Sequence, residues 1–338
     1  MKSVVFTSAG EVVDDRPEPT PARDEVLLQV AYCGICGSDL HAATPDFHPG
    51  CVMGHEFSAT VLDTGADVAG FRAGDHVVVN PNGDVCGECP ACRTGAVNTC
   101  VRIPETGIGL ARNGGLAPLA AVRARAVHRL PESVDLLTGA WTEPLAVALR
   151  TVRRSGFSVG QEAVVFGGGP IGLLVTGILS AAGASRIWVV EPNLTRREAA
   201  LHQGATDVVD PATTPVVEVF ADQATAPRFA FECAGVAGLV DQALKVLRPS
   251  GTLTVTGYSR RPPSYDAADL LFKEITIRGS FIYTTEFTEA IGLLATGRID
   301  VAALTSGIVP VAGAAEAFHA MRTSPDAIKY LVSDTHPA

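Results

Sequence analysis

The rhythm of hydrophobic positions changes near Trp141. Upstream, short runs rich in Val, Leu and aromatic residues are broken by Gly, Pro and Asp, at 3–7, 25–32, 56–63 and 76–80. Such runs predict strands, and their irregular spacing predicts a largely β unit with long loops. Residues 144–154 then predict a helix, with Pro144 suited to its first position and Arg150, Arg153 and Arg154 near its C-terminal end. From Ala163 onward strands and helices alternate. The strands are predicted at 163–166, 187–190, 207–209, 229–232, 252–256 and 274–279, with helices at 171–182, 195–202, 239–247 and 266–272. That alternation predicts an α/β unit with a parallel, doubly wound sheet. The tail from Thr288 is too short for a third unit and is expected to return to the first.

Length supports the same division, because 338 residues exceed what one core usually serves. Hydrophobic residues make up 47% and charged residues 18%, as in a well-packed globular protein. A net charge of −10 disfavours nucleic acid and anionic membranes as partners. The uncharged stretch 163–185 is interrupted by Gly-Gly-Gly-Pro, so it predicts a buried strand, turn and helix and no membrane span. The first residues lack a sustained apolar core and a cleavage site, so no signal peptide and a cytoplasmic location are expected. In that setting eight cysteines suggest metal ligation before disulfides.

Gly167, Gly169 and Gly172 form G-x-G-x-x-G after the strand AVVF, and Pro170 and Ile171 open the helix that follows. The glycines permit a tight turn and close approach of a pyrophosphate to the helix N-terminus. Glu191, at the end of the next strand, is placed to accept hydrogen bonds from ribose hydroxyls and to repel a 2′-phosphate. NAD(H) is therefore expected. Arg196 and Arg197 can attract a 2′-phosphate, which keeps NADP(H) open.

Cys86, Cys89, Cys92 and Cys100 give C-x2-C-x2-C-x7-C in a loop with Gly87, Pro90 and Gly95. Four thiolates can close every position of a tetrahedral Zn²⁺, which makes a structural site. An iron–sulfur cluster or a nucleic-acid zinc ribbon are the alternatives, the second at odds with the acidic charge. Upstream, CGICGSDLH contains Cys36, and GHE contains His55 and Glu56. A thiolate and an imidazole suit a catalytic zinc, which keeps one exchangeable position.

In order, GICGSDLH, GHE, the four-cysteine lobe, TEPLA and GGGPIG resemble the zinc-containing medium-chain dehydrogenase/reductase family over essentially the full chain. The resemblance implies a GroES-like, mainly β catalytic domain at 1–148 and 288–338, with a zinc lobe near 84–101, and a Rossmann NAD-binding domain at 149–287. It implies that Cys36 and His55 bind a catalytic zinc. Glu143, in TEPLAV, is expected as third ligand, as in the polyol, butanediol and threonine dehydrogenase branch, with Glu56 as a secondary ligand. Ser38 and His41 match the family's proton-relay positions. Cys233 is expected near the nicotinamide and Lys329 near the cofactor phosphates. A homodimer or homotetramer is implied, pairing the strand near 275–281 across subunits.

The expected reaction is interconversion of a secondary alcohol and a ketone, by hydride transfer from a zinc-held alkoxide to NAD. Arginine greatly outnumbers lysine, which points to a GC-rich bacterial genome and brings polyols, cyclitols and amino-sugars into view as substrates. Two segments, AATPDFHPGCVM and GGLAPLAAV, depart from the family and are expected to line the substrate pocket. Cys33 and Cys51 are expected to pack rather than react. The rival readings are a zinc-free C=C reductase on the same scaffold and a non-catalytic NAD-binding protein.

Overall fold

The computed structural model describes residues 1–7, 10–40, 50–222, 225–336. They divide into two compact units. One comprises Met1–Glu143, Phe287–Ala295 and Thr305–Ala338, and the other Pro144–Glu286 and Thr296–Leu304. The second unit therefore begins at Pro144 rather than after residue 148, and it takes a segment of the tail. Asp300 accounts for that segment: its carbonyl accepts from Gln203 Nε2 at 2.7 Å, and its carboxylate lies 2.9 Å from His202 Nε2.

In the first unit, the long strand Glu25–Gly34 is the hub of a mainly antiparallel sheet. It pairs with Glu56–Thr64, with Leu119–Arg123 and with Lys329–Val332 from the C-terminal tail. Alternating side chains of these strands bury Val26, Leu28, Val30, Phe57, Ala59 and Val61 in one core, against Phe318 of the helix Ala314–Thr323. The strands at Leu119–Arg123 and Lys329–Val332 escape the sequence reading because they are short and their hydrophobic pattern is weak. In GGLAPLAAV, Leu116 and Ala117 are fully buried, and Gly115 lies so close to the Phe57 ring that a Cβ would strike it, so part of this segment belongs to the core.

Among the described residues of the second unit, six parallel strands adopt the order 207–209, 186–190, 162–166, 229–232, 252–255, 276–279. Numbered along the chain this is 3-2-1-4-5-6, the order of a dinucleotide-binding sheet. Phe166, Trp188, Val190, Leu244 and Leu253 fill one of its cores. The order reverses between Glu162–Phe166 and Phe229–Glu232, where such sheets hold their ligands at the carboxyl ends of the strands. No helix among the described residues is long and apolar enough to cross a membrane.

Candidate active site and metal centres

Sheet register builds the first centre. Gly34 faces Glu56 on one neighbouring strand and Leu331 on the other. Cys36 follows Gly34 in the turn into the short helix Gly37–Leu40, and His55 immediately precedes the strand Glu56–Thr64. The ligand atoms of Cys36, His55 and Glu56 consequently lie within 4.8 Å of one another. His55 and Glu56 are buried, whereas Cys36 is half-buried and Ser38 exposed. His41 lies outside the described residues, as does most of the segment AATPDFHPGCVM.

Asp39, fully buried, organises this turn. Its Oδ2 accepts from the Cys36 backbone N–H at 2.9 Å, and its Oδ1 is 3.6 Å from His55 Nδ1. The second distance is too long for a hydrogen bond, so Asp39 acts on the ring mainly by charge. Burial disfavours a charged imidazole, yet Asp39, Cys36 and Glu143 together push the His55 pKa well above its ordinary value. A site that draws positive charge against burial is chemically matched to a metal cation.

Glu143 is buried at the start of the helix Thr142–Ser155. It acts on His55 electrostatically but does not belong to the three-residue group that closes within 4.8 Å. Lys329, expected near the cofactor phosphates, is 3% exposed, forms an ion pair with Glu56 Oε2 and has its Nζ 5.8 Å from the Trp141 ring centre.

The four cysteines form a second centre, with their sulfurs within 4.8 Å of one another. Pro90 starts the helix Pro90–Arg93, and Cys89 caps it by accepting the Cys92 N–H. Gly87 and Gly95 take the positive φ angles that fold the loop back. Cys86 Sγ is 3.8 Å from Cys92 Sγ and 3.5 Å from Cys100 Sγ. A tetrahedron with metal–sulfur bonds of ~2.3 Å has edges of ~3.8 Å, so the spacing fits zinc. The backbone N–H groups of Cys92 and Val101 lower the Cys89 thiol to about 6, while burial and the neighbouring thiols raise Cys92 to about 12. Four sulfurs at this spacing match the donor set of a tetrahedral cation. Asp84, buried just upstream, ties the lobe to the sheet through Arg123 at 2.9 Å and through Arg125 and Arg112.

In the second unit, three neighbouring strands end at one level, since Phe166 pairs with Val190 and with Glu232. The next residues, Gly167, Glu191 and Cys233, are therefore brought together at the carboxyl edge. Their N–H groups continue the ladder, Gly167 to Val190 O and Cys233 to Phe166 O, both at 2.9 Å. Gly169 caps the helix Pro170–Ala181 with Pro170 first, and a Cβ on Gly172 would collide with the Gly167 carbonyl. Glu191 Oε2 accepts from Gly168 N–H at 2.6 Å, and Oε1 from Asn193 N–H at 3.0 Å. Each oxygen keeps a lone pair for a hydroxyl. Arg197 is consumed locally: its guanidinium donates to the Glu191 and Pro192 carbonyls and lies 3.1 Å from Asp210. Arg196 begins near the glycine turn, its Cβ close to where a Gly168 side chain would start.

Three further groups escape the sequence reading: Asp39, Asp84 and Glu232. Glu232 is buried at the same carboxyl edge and accepts the N–H groups of Ala234 and Gly235 at 3.0 and 2.8 Å, holding the loop beyond Cys233. Acidic residues at strand ends or beside glycine turns were the available signal, but many surface carboxylates share it.

The comparisons with known proteins agree with this architecture. The alcohol dehydrogenase GroES-like domain matches residues 22–132, and the zinc-binding dehydrogenase domain matches 170–296. The chain is 36% identical over 325 residues to 2-dehydro-3-deoxy-L-galactonate 5-dehydrogenase of Pseudoalteromonas atlantica, covering 92% of each. A zinc-binding dehydrogenase from Sinorhizobium meliloti, solved with NADP, superposes with a TM-score of 0.91 at 32% identity over 98% of both chains. An alcohol dehydrogenase from Escherichia coli CFT073, solved with NADH, also gives 0.91, at 26% identity, over 98% of this chain and 99% of its own. With both domains matched in order and a relative this similar over nearly its whole length, the chain belongs to the zinc-binding dehydrogenase family and is an oxidoreductase of the alcohol–ketone type.

Proposed function

We propose that this protein oxidises a secondary alcohol of a polyol or sugar acid to a ketone, and runs the reverse reduction, with NAD(H) and a catalytic zinc held by Cys36, His55 and Glu56. The observation that carries this reading is the convergence of those three side chains within 4.8 Å. Glu56 thus takes the third position in place of Glu143, which contributes negative charge beside His55. When bound, zinc supplies a Lewis acid that acidifies an alcohol hydroxyl, and NAD supplies the hydride acceptor.

The chain's own residues set the rest. Cys36, His55 and Glu56 would hold the zinc, and a set of three protein ligands would keep it open to the substrate hydroxyl. Asp39 places negative charge beside the His55 ring and holds the Cys36 backbone N–H. Ser38 Oγ, exposed two residues after Cys36, takes the hydroxyl proton towards solvent, with His41 as the next carrier. Cys86, Cys89, Cys92 and Cys100 hold a second, structural zinc. Gly167, Gly169, Pro170, Ile171 and Gly172 cradle the pyrophosphate, with Cys233 near the nicotinamide. Glu191 binds the ribose and favours NAD, and Arg196 is the remaining arginine for a 2′-phosphate.

The substrate class rests on similarity to the sugar-acid dehydrogenase and to D-xylulose reductase A of Aspergillus niger, 32% identical over 334 residues. A panel of polyols, sugar acids and cyclitols, followed by NADH absorbance, tests it. Turnover of several vicinal diols or polyols supports the reading, and activity confined to C=C reduction contradicts it.

A further inference from the structure

We propose that Lys329 is a positioning residue that holds one oxygen of Glu56, so that this carboxylate meets the catalytic metal through its other oxygen alone. The inference rests on the reading that Cys36, His55 and Glu56 bind that metal.

Three observations converge on it. Glu56 and Lys329 come from the two strands that flank Glu25–Gly34: Glu56 pairs with its last residue, Gly34, and Lys329, two residues before Leu331 (the partner of Gly34 on the other side), reaches the same glycine with its side chain. Both residues open strands of the sheet, so neither stands on a loop. Both partners are buried, at 3% and 1% exposure, and a charge so placed is retained only where it is compensated. Here Glu56 Oε2 faces the ammonium, and the indole of Trp141 lies 5.8 Å beyond it. Finally, Gly34 does not adopt a positive φ, so its backbone conformation is open to other residues. What a side chain there lacks is space. A Cβ would strike Glu56 Oε2 and come within 3.1 Å of Lys329 Cε. Glycine at the end of this buried strand makes room for the ion pair.

The chemical consequence concerns the open coordination position. A four-coordinate catalytic zinc with three protein ligands has one place for substrate, provided each ligand contributes a single atom. A carboxylate free to turn can offer both oxygens and occupy that place. With Oε2 held by Lys329, Glu56 has one oxygen to give. Withdrawal of Lys329 to a cofactor phosphate would instead leave Glu56 buried beside other anions without its partner.

Cobalt placed in the catalytic site, with zinc kept in the four-cysteine lobe, reports coordination number directly through its visible absorption. In Lys329→Met, the cobalt bands are expected to lose at least about half their intensity as a fifth ligand atom joins. NADH affinity, read by fluorescence titration, is expected to change less than about twofold, while kcat falls about tenfold or more. Gly34→Ala keeps the lysine but crowds the same pair, and should alter the cobalt spectrum in the same direction even if Lys329→Met fails to fold. An unchanged spectrum in the folded variants overturns the proposal. So does an NADH affinity weakened about tenfold in Lys329→Met with the cobalt bands intact, the signature of a phosphate contact. Glu56→Gln separates the two readings. If its spectrum matches the wild type, Glu56 is not a ligand and the metal assignment itself falls. If Glu56→Gln shifts the spectrum and Lys329→Met does not, only the role of Lys329 is lost.

Discussion

Glu56 and Glu143 are both buried carboxylates near His55, and their neighbours distinguish them. Glu56 closes a compact group with Cys36 and His55, so Glu56→Gln should lower catalytic-site zinc content and activity together. Glu143→Gln should retain the metal and lose activity more mildly. Metal analysis of the two variants checks this, and the reverse ranking would restore Glu143 as third ligand. Glu191 makes a separable prediction. Its carboxylate is fixed by Gly168 and Asn193 backbone N–H groups, so Glu191→Ser should shift the NADP-to-NAD ratio of kcat/KM upward by about tenfold or more, equivalent to ~1.4 kcal/mol. An unchanged ratio would place cofactor choice elsewhere. Cys36, His55 and the glycine turn were legible in the sequence because each is embedded in a motif with fixed local spacing. The Lys329–Glu56 pair was not, since nothing local to either residue reveals a partner on a strand distant in sequence.

Among the elements, hydrophobic runs located the six parallel strands, and the four central ones, buried along most of their length, read as nearly continuous apolar stretches. The first unit was less legible. Its strand Gly10–Asp15 carries charged residues on a solvated face, and Val127–Arg129 is three residues long. The cysteine lobe has little regular structure beyond Pro90–Arg93, Val97–Thr99 and Ile103–Thr106. In the proposed zinc-bound state its shape would depend on that metal and on the Asp84–arginine contacts. Cys89→Ser should therefore release one zinc per chain and lower Tm by ~5–10 °C while leaving the catalytic metal in place. Metal counting with calorimetry checks this, and an unchanged Tm would remove the lobe's structural role.

For the whole molecule, the second unit ends in an edge strand, Thr276–Gly279, whose residues are all exposed. Phe272 is 82% exposed beside it, and Leu271 and Phe281 are also exposed. An unpaired, apolar edge is an aggregation hazard unless another chain covers it. The homodimer or homotetramer expected from the sequence would pair these edges, and in that assembly Ile277→Lys should shift the protein towards monomer in sedimentation velocity. Wild-type protein that sediments as a monomer would contradict that assembly.

The central claim is that alcohol–ketone interconversion depends on metal at Cys36, His55 and Glu56. Its most direct test is NADH production from a responsive polyol by native, metal-stripped and zinc-restored enzyme, with Cys36→Ser alongside. Stripping should abolish turnover, zinc should restore it, and Cys36→Ser should fold, bind NADH and stay inactive in zinc. Full activity of Cys36→Ser, or turnover that survives complete loss of metal, would contradict it.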